Sequence, residues 1–221
     1  MWCIPKLDEE YIERMEDILD LYQKPYDPKE PVVCLDEKSI QLLAEVRAPI
    51  QTTSTAVRKR DYEYKRGGTR NIFVTVEPRG GIRRTKVTRH RKKEDFAHTL
   101  KELVIDQYST ADTIHLVMDN LNTHFRKSLV DTLGEKEADR LWSRITVHYT
   151  PKHASWLNMA EIEIGILSRQ VLKKRLPDEQ TLKDETRMWQ TRRNRRRKQI
   201  NWRFTKVDAR KAMKYEPTGL G

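Results

Sequence analysis

Ile114-His115-Leu116-Val117-Met118-Asp119-Asn120 is the stretch from which the architecture is read. A short apolar run stops abruptly at an acid and an amide. That is the pattern of a buried strand delivering a carboxylate to a crevice at its carboxyl end. Val32-Val33-Cys34-Leu35-Asp36-Glu37 repeats the pattern earlier in the chain. A single Asp in such a place is commonly a turn former or helix cap. Two of them, each closing an apolar strand, point to a shared site. The polar burst Asn120-Leu121-Asn122-Thr123-His124 after the second adds to this.

The segments around these strands complete a pattern. Tyr11, Ile12, Met15, Ile18 and Leu19 recur at helical spacing over 8–21, and Pro25, Pro28 and Pro31 make an extended linker. A first strand is predicted at 32–36, and a polar loop at 47–61. Residues 71–77 and 82–89 read as an antiparallel hairpin turning at Gly80 and Gly81. Helices are predicted over 94–107, 125–142, Leu157 to Lys174 and 178–195, with strands at 113–118 and 145–149. Strand, hairpin, helix, strand, helix, strand, helix fits an α/β fold: a mixed sheet, antiparallel hairpin plus parallel strands, flanked by helices. The expected organisation is an acidic helix and proline-rich linker (1–31), a catalytic domain (32–176), and a basic helix and tail packed on it (177–221).

A third acid comes from Ser155-Trp156-Leu157-Asn158-Met159-Ala160-Glu161. Glu161 lies early on its helix, where Asn158 and Gly165 leave room beside it. Glu163 neighbours Met159, Ala160, Ile166 and Leu167, a packing face, and is the second choice. Three clustered carboxylates repel one another unless cations fill the site, and an all-oxygen donor set selects Mg²⁺ or Mn²⁺. Two such ions activate a nucleophile and stabilise the leaving oxygen of a phosphodiester. The six histidines include no pair at zinc-helix spacing. His124 and His153 stand close enough in sequence to orient phosphate or water, and fit equally as satisfied loop histidines.

Charge points to the substrate. The 221 residues carry a net charge of +11 and a pI near 9.6. Residues 1–30 hold nine acids against four bases, so the positive charge belongs to the rest of the chain. Fourteen bases fall within 58–93, and Arg192-Arg193-Asn194-Arg195-Arg196-Arg197-Lys198 forms a second block. Two basic blocks flanking acids suit a polyanion, with phosphates held by arginines of 58–93 and 187–198. The two cysteines, Cys3 and Cys34, form no C-x-x-C motif and suit a reducing cytoplasm. No apolar run is long enough to span a membrane, and the start lacks a signal-peptide pattern.

Cys34-Leu35-Asp36-Glu37, Met118-Asp119-Asn120-Leu121-Asn122-Thr123-His124 and Tyr149-Thr150-Pro151-Lys152-His153-Ala154-Ser155-Trp156-Leu157-Asn158-Met159-Ala160-Glu161 resemble the transposases of insertion-sequence-630 elements, bacterial relatives of the mariner superfamily. The resemblance runs from Trp2-Cys3-Ile4-Pro5 to about Ala212. It implies a ribonuclease-H-like catalytic domain with Asp36, Asp119 and Glu161 as ligands of Mg²⁺ or Mn²⁺, two ions in all. It also implies DNA cleavage at terminal inverted repeats, strand transfer by a freed 3′ hydroxyl at TA steps, and a bacterial, nucleoid-associated location. A homodimer is a further implied partner. Family members carry helix-turn-helix modules ahead of this domain. The chain is expected to begin inside the linker that follows them, which makes a separately encoded reader of DNA ends another expected partner. Forty-one residues separate Asp119 from Glu161, with extra length near Glu135–Arg144. Two rival readings are an inactive remnant that binds DNA without specificity, and a ribonuclease-H or resolvase-like nuclease.

Overall fold

The computed structural model describes residues 7–47, 62–121 and 123–215. Helix α1 (Glu9–Gln23) starts at Asp8, whose side chain accepts the Tyr11 N–H, and buries the apolar face read from sequence. Five strands follow: β1 (Val32–Glu45), β2 (Tyr64–Glu77), β3 (Ile82–Thr88), β4 (Ile114–Met118) and β5 (Ile145–Tyr149). They form one sheet in the order β3-β2-β1-β4-β5. β1 pairs antiparallel with β2, and β2 with β3, whereas β4 runs parallel to both β1 and β5. This is the mixed sheet expected from the sequence.

Alternation along β1 divides the core in two. Val33 and Leu35 face one layer with Leu116 and Met118 of β4, covered by Phe96 and Leu100 of α2 (Lys93–Glu102), Leu129 of α3 (Arg126–Leu133) and Leu141 of α4 (Glu135–Trp142). Cys34 faces the other layer with Val74 of β2 and Val117 of β4, covered by Met15 of α1, Ala160 of α5 (Met159–Leu167) and Trp189 of α6 (Glu179–Arg195). Both layers contain side chains with no exposed surface, so the sheet is buried on both faces around its centre.

Several boundaries differ from the sequence reading. β1 does not stop at Asp36 but continues to Glu45, and β2 begins at Tyr64. Asp36 therefore sits in mid-strand. The extension alternates weakly because its only strand partner is β2 and most of it is half-buried, with Leu42 alone buried. The helix predicted over 125–142 is two helices, broken where Gly134 adopts φ 82°, a conformation open to glycine. The helix beginning at Leu157 starts instead as a short 3₁₀ turn, with α5 proper beginning at Met159. The helix predicted over 94–107 and α5 both finish in π-turns, at Leu103–Gln107 and Ser168–Leu172. A last helix, α7 (Lys206–Met213), was not foreseen. It clasps α1 through Arg210, whose two nitrogens each lie 2.7 Å from a Glu16 oxygen. The loop predicted at 47–61 falls outside the described residues from position 48 on, as do Arg58, Lys59 and Arg60. No described helix is long and apolar enough to cross a membrane.

Candidate active site

Two strands and one helix bring the three acids to one place. In the parallel pair, Cys34 lies opposite Val117. Two residues further along the chain come Asp36, still within β1, and Asp119, one residue past the end of β4, which continued alternation puts on the face of Cys34 and Val117. That is the face on which α5 packs. Asn158 fixes the start of α5: its side-chain oxygen accepts the Ala160 N–H at 3.0 Å, and its amide donates to the Leu35 carbonyl at 2.8 Å. The helix is thus tied to β1 at the residue before Asp36, and Glu161 follows in its first turn.

The electrostatics register the clustering. Burial pushes the Asp36 carboxyl up to about 7, and the charges of Asp119, Glu161 and Glu37 push in the same direction. The Glu37 N–H, donating to Asp36 Oδ1 at 2.7 Å, only partly offsets this. Among the described residues, no three His, Cys, Asp or Glu side chains are closed into a metal cage. The donor set nevertheless fits a hard divalent cation. It consists of the carboxylates of Asp36, Asp119 and Glu161 alone, whose repulsion on Asp36 a divalent cation would relieve.

Glu163 is placed elsewhere. Its side chain is fully buried between two guanidinium groups: Arg83 Nη2 lies 2.9 Å from Oε1, Arg193 Nη2 2.5 Å from Oε1, and Arg193 Nε 3.2 Å from Oε2. Among the α5 acids it is Glu161 whose charge bears on Asp36. The same contacts withdraw two bases from the arginine blocks assigned to phosphate. Arg83 is 1% exposed, and Arg193 lies against Glu163.

His124 is buried behind Asp119. Its ring stacks on Phe96, with centroids 4.7 Å apart and planes at 29°. Nε2 lies 3.3 Å from Glu37 Oε2; Nδ1 lies 3.2 Å from the Asp119 carbonyl and 2.7 Å from Asp119 Oδ1. The carbonyl is in line with the ring N–H, and the carboxylate oxygen lies to one side of it. Burial alone would push the imidazole down, but its contacts with Asp119 and Glu37 outweigh this and push it up to about 9. His153 is exposed, with φ 64°, and lines a cleft of about 690 Å³ together with Asp119, Asn120, Lys152 and, from α1, Tyr11 and Arg14. Arg91 Nε stands 3.4 Å from Glu37 Oε1.

Sequence reasoning left three residues here without a role. Glu37 points to the face opposite Asp36 and is invisible to a search for clustered ligands. The Asn158 cap was legible from an amide preceding a helix, but its bond to Leu35 was not. Arg91 was one base among many.

Comparison with known proteins bears on the family and the fold. A family model described as DDE superfamily endonuclease matches residues 31–183. No curated protein matches the chain. Among solved structures, the Mos1 mariner paired-end complex with Mn aligns with a TM-score of 0.55 at 14% identity, covering 87% of this chain and 58% of that one. The Mos1 strand transfer complex gives 0.56 at 14% over 86% and 57%, and a pre-cleavage Mos1 transpososome 0.54 at 13% over 90% and 64%. The chain thus spans less than two-thirds of the Mos1 chains it matches. At such identities the likeness establishes the fold, which is ribonuclease-H-like. With the family model covering most of its length, the chain belongs to the DDE superfamily of endonucleases.

Proposed function

We propose that this chain is the catalytic domain of a DNA transposase of the insertion-sequence-630 branch of the mariner superfamily. It would cut strands at terminal inverted repeats and join a freed 3′ hydroxyl to target DNA at a TA step. The observation that carries the proposal is the approach of Asp36, Asp119 and Glu161 to one rim of the sheet, set by strand register, side-chain alternation and the Asn158 tether. Asp36, Asp119 and Glu161 would hold Mg²⁺ or Mn²⁺, two ions in this reading, which when bound supply Lewis acidity to the attacking and leaving oxygens.

The chain's own residues do the rest. Asp36, within β1, and Asp119, one residue past β4, would present neighbouring carboxylates, and Glu161 would approach from α5. Exposed Arg89, Arg91 and Lys92 between β3 and α2, with Arg192, Arg195 and Arg196 at the end of α6, offer cations to DNA phosphates. Such contacts position a duplex without reading its sequence. In this reading the chemistry belongs to 32–176, with 1–31 and 177–221 as braces. Recognition of the ends falls to a helix-turn-helix segment, and a second copy of the chain pairs the ends. The location is the bacterial nucleoid.

Nicking of supercoiled plasmid with Mn²⁺ or Mg²⁺ tests the proposal. The chain is expected to nick only with metal, and Asp119→Ala is expected to abolish it. Undiminished metal-dependent nicking by Asp119→Ala would overturn the assignment, and a folded but inert chain would favour the DNA-binding remnant.

A further inference from the structure

Glu37, His124 and Asp119 form a line of contacts that the three-acid site does not account for. Glu37 follows Asp36, so alternation sends its carboxylate through the sheet to the layer of α2 and α3. There it is 3% exposed, and the His124 ring lies between it and Asp119. A carboxylate is costly to bury unless partnered, and each of the two partners here serves a further group. His124 touches Asp119, and Arg91 reaches the surface.

The imidazole has little freedom to turn. Phe96 covers one face, Glu37 engages Nε2, Asp119 engages Nδ1, and the Tyr149 hydroxyl donates to the His124 carbonyl at 2.7 Å. Nδ1 meets both the main-chain and side-chain oxygens of Asp119. The Asp119 side chain is 39% exposed although its Oδ1 is buried, so its open surface lies away from the ring. A carboxylate at the end of a short strand would otherwise rotate freely about its own bonds.

We infer that His124 is a positioning residue: oriented by Glu37 from the opposite layer of the core, it holds the Asp119 carboxylate in the rotamer that presents its open side to the site. The inference rests on the proposed function for what Asp119 does, but the contact line is independent of it. Glu37 is thereby given a role that its neighbour Asp36 obscures: the two acids serve one site from opposite faces of the same strand.

Two isosteric changes test the inference. In His124→Asn the amide nitrogen falls near the place of Nδ1 and can still reach Asp119. In His124→Gln it falls near Nε2, reaches Glu37 and leaves Asp119 unheld. Mn²⁺ bound to the full chain, with and without a DNA duplex, is counted by electron paramagnetic resonance, and nicking is measured beside it. His124→Gln is expected to lose about 10- to 100-fold in Mn²⁺ affinity, the usual cost of removing a group that orients a ligand. Its kcat should fall while KM for DNA holds. His124→Asn should lose clearly less in both. Glu37→Leu, which removes the anchor, should fall with His124→Gln.

A ring that merely fills space above Phe96 gives the opposite order, because Gln is nearer to His in volume. Equal losses, or a smaller loss for Gln, would overturn the inference. If Asp119→Ala is inert and the two His124 variants do not differ, the positioning role alone falls. If Asp119→Ala nicks normally, the functional reading falls first.

Discussion

Glu161 and Glu163 stand two positions apart on one helix, and their replacement by Gln should separate chemistry from architecture. Glu163→Gln keeps the shape and one acceptor oxygen but deletes the charge between Arg83 and Arg193. The Arg83 side chain has no exposed surface, and its Nε and Nη1 have no hydrogen-bond partner. Its only ion-pair partner among the described residues is Glu163. Breaking one side of a buried ion pair costs about 3–5 kcal/mol, because the remaining charge stays in the interior. With an amide left as acceptor, the lower end of that range applies. A chain of this size has a total stability of roughly 5–15 kcal/mol. A loss of about 3 kcal/mol lowers the melting temperature by about 6–12 °C at this length. Glu161→Gln is an exposed substitution and should change stability by no more than about 0.5 kcal/mol. It should also relieve repulsion on Asp36 while abolishing metal-dependent nicking. Thermal melts followed by circular dichroism, with nicking below the melting range, read both effects. A Glu163→Gln melt within 2–3 °C of the parent chain, roughly the span of 1 kcal/mol, would refute the ion-pair argument, and full activity in Glu161→Gln would refute the assignment of the third acid.

The other acids and their scaffold are as open to test. Without metal, Asp36→Asn should be more stable than the parent chain at pH 8 and equal to it near pH 4. The folded-state carboxyl is raised from 3.8 to about 7, so stability is intact below the unfolded value and lost as pH rises through the folded one. The shift sets a ceiling of about 4 kcal/mol on the difference, and urea titrations at the two pH values would expose a gap of the wrong sign. Asn158→Ala should cost about 2–4 kcal/mol, from a lost helix cap and a Leu35 carbonyl left without its donor. Asn158→Asp keeps the cap but cannot donate to Leu35, so a chain as stable and as active as the parent would show that the tether is idle.

The sequence disclosed those parts of the molecule whose cause is local. The α1 stripe, the β2–β3 hairpin and the apolar runs of β4 and β5 follow from spacing and turn chemistry within a few residues. Asp36 and Asp119 were legible for the same reason: each ends an apolar run. The continuation of β1 was hidden because Glu37 to Glu45 have a strand partner on one side only and mix inward and outward residues. The roles of Arg83 and Glu163 were hidden for a different reason. They are 80 residues apart in sequence, and nothing local distinguishes a buried arginine from an exposed one in a basic stretch. Carboxylates and charge already suggested metal-assisted phosphodiester chemistry on a polyanion; the likeness of sequence to a family narrowed that expectation to transposition.

The same break in the sheet that opens the site also assembles it. β4 pairs with β1 only as far as Cys34, whereas β1 and β2 run on together to Glu45. Beyond Cys34, β1 therefore faces no strand on its β4 side, and backbone groups released there must find other partners. The Leu35 carbonyl is taken by the Asn158 amide, which pins the start of α5 and with it Glu161. The Glu37 N–H is taken by the Asp36 carboxylate, which anchors the first acid. β4, ending at Met118, releases Asp119 at the same level, where His124 and behind it Glu37 receive it. Each acid is thus fixed by a bond that the divergence of two strands either frees or makes necessary. A ligand set built this way cannot be shifted along the chain without re-pairing the sheet, and that explains why the acids sit within β1, just past β4 and in the first turn of α5.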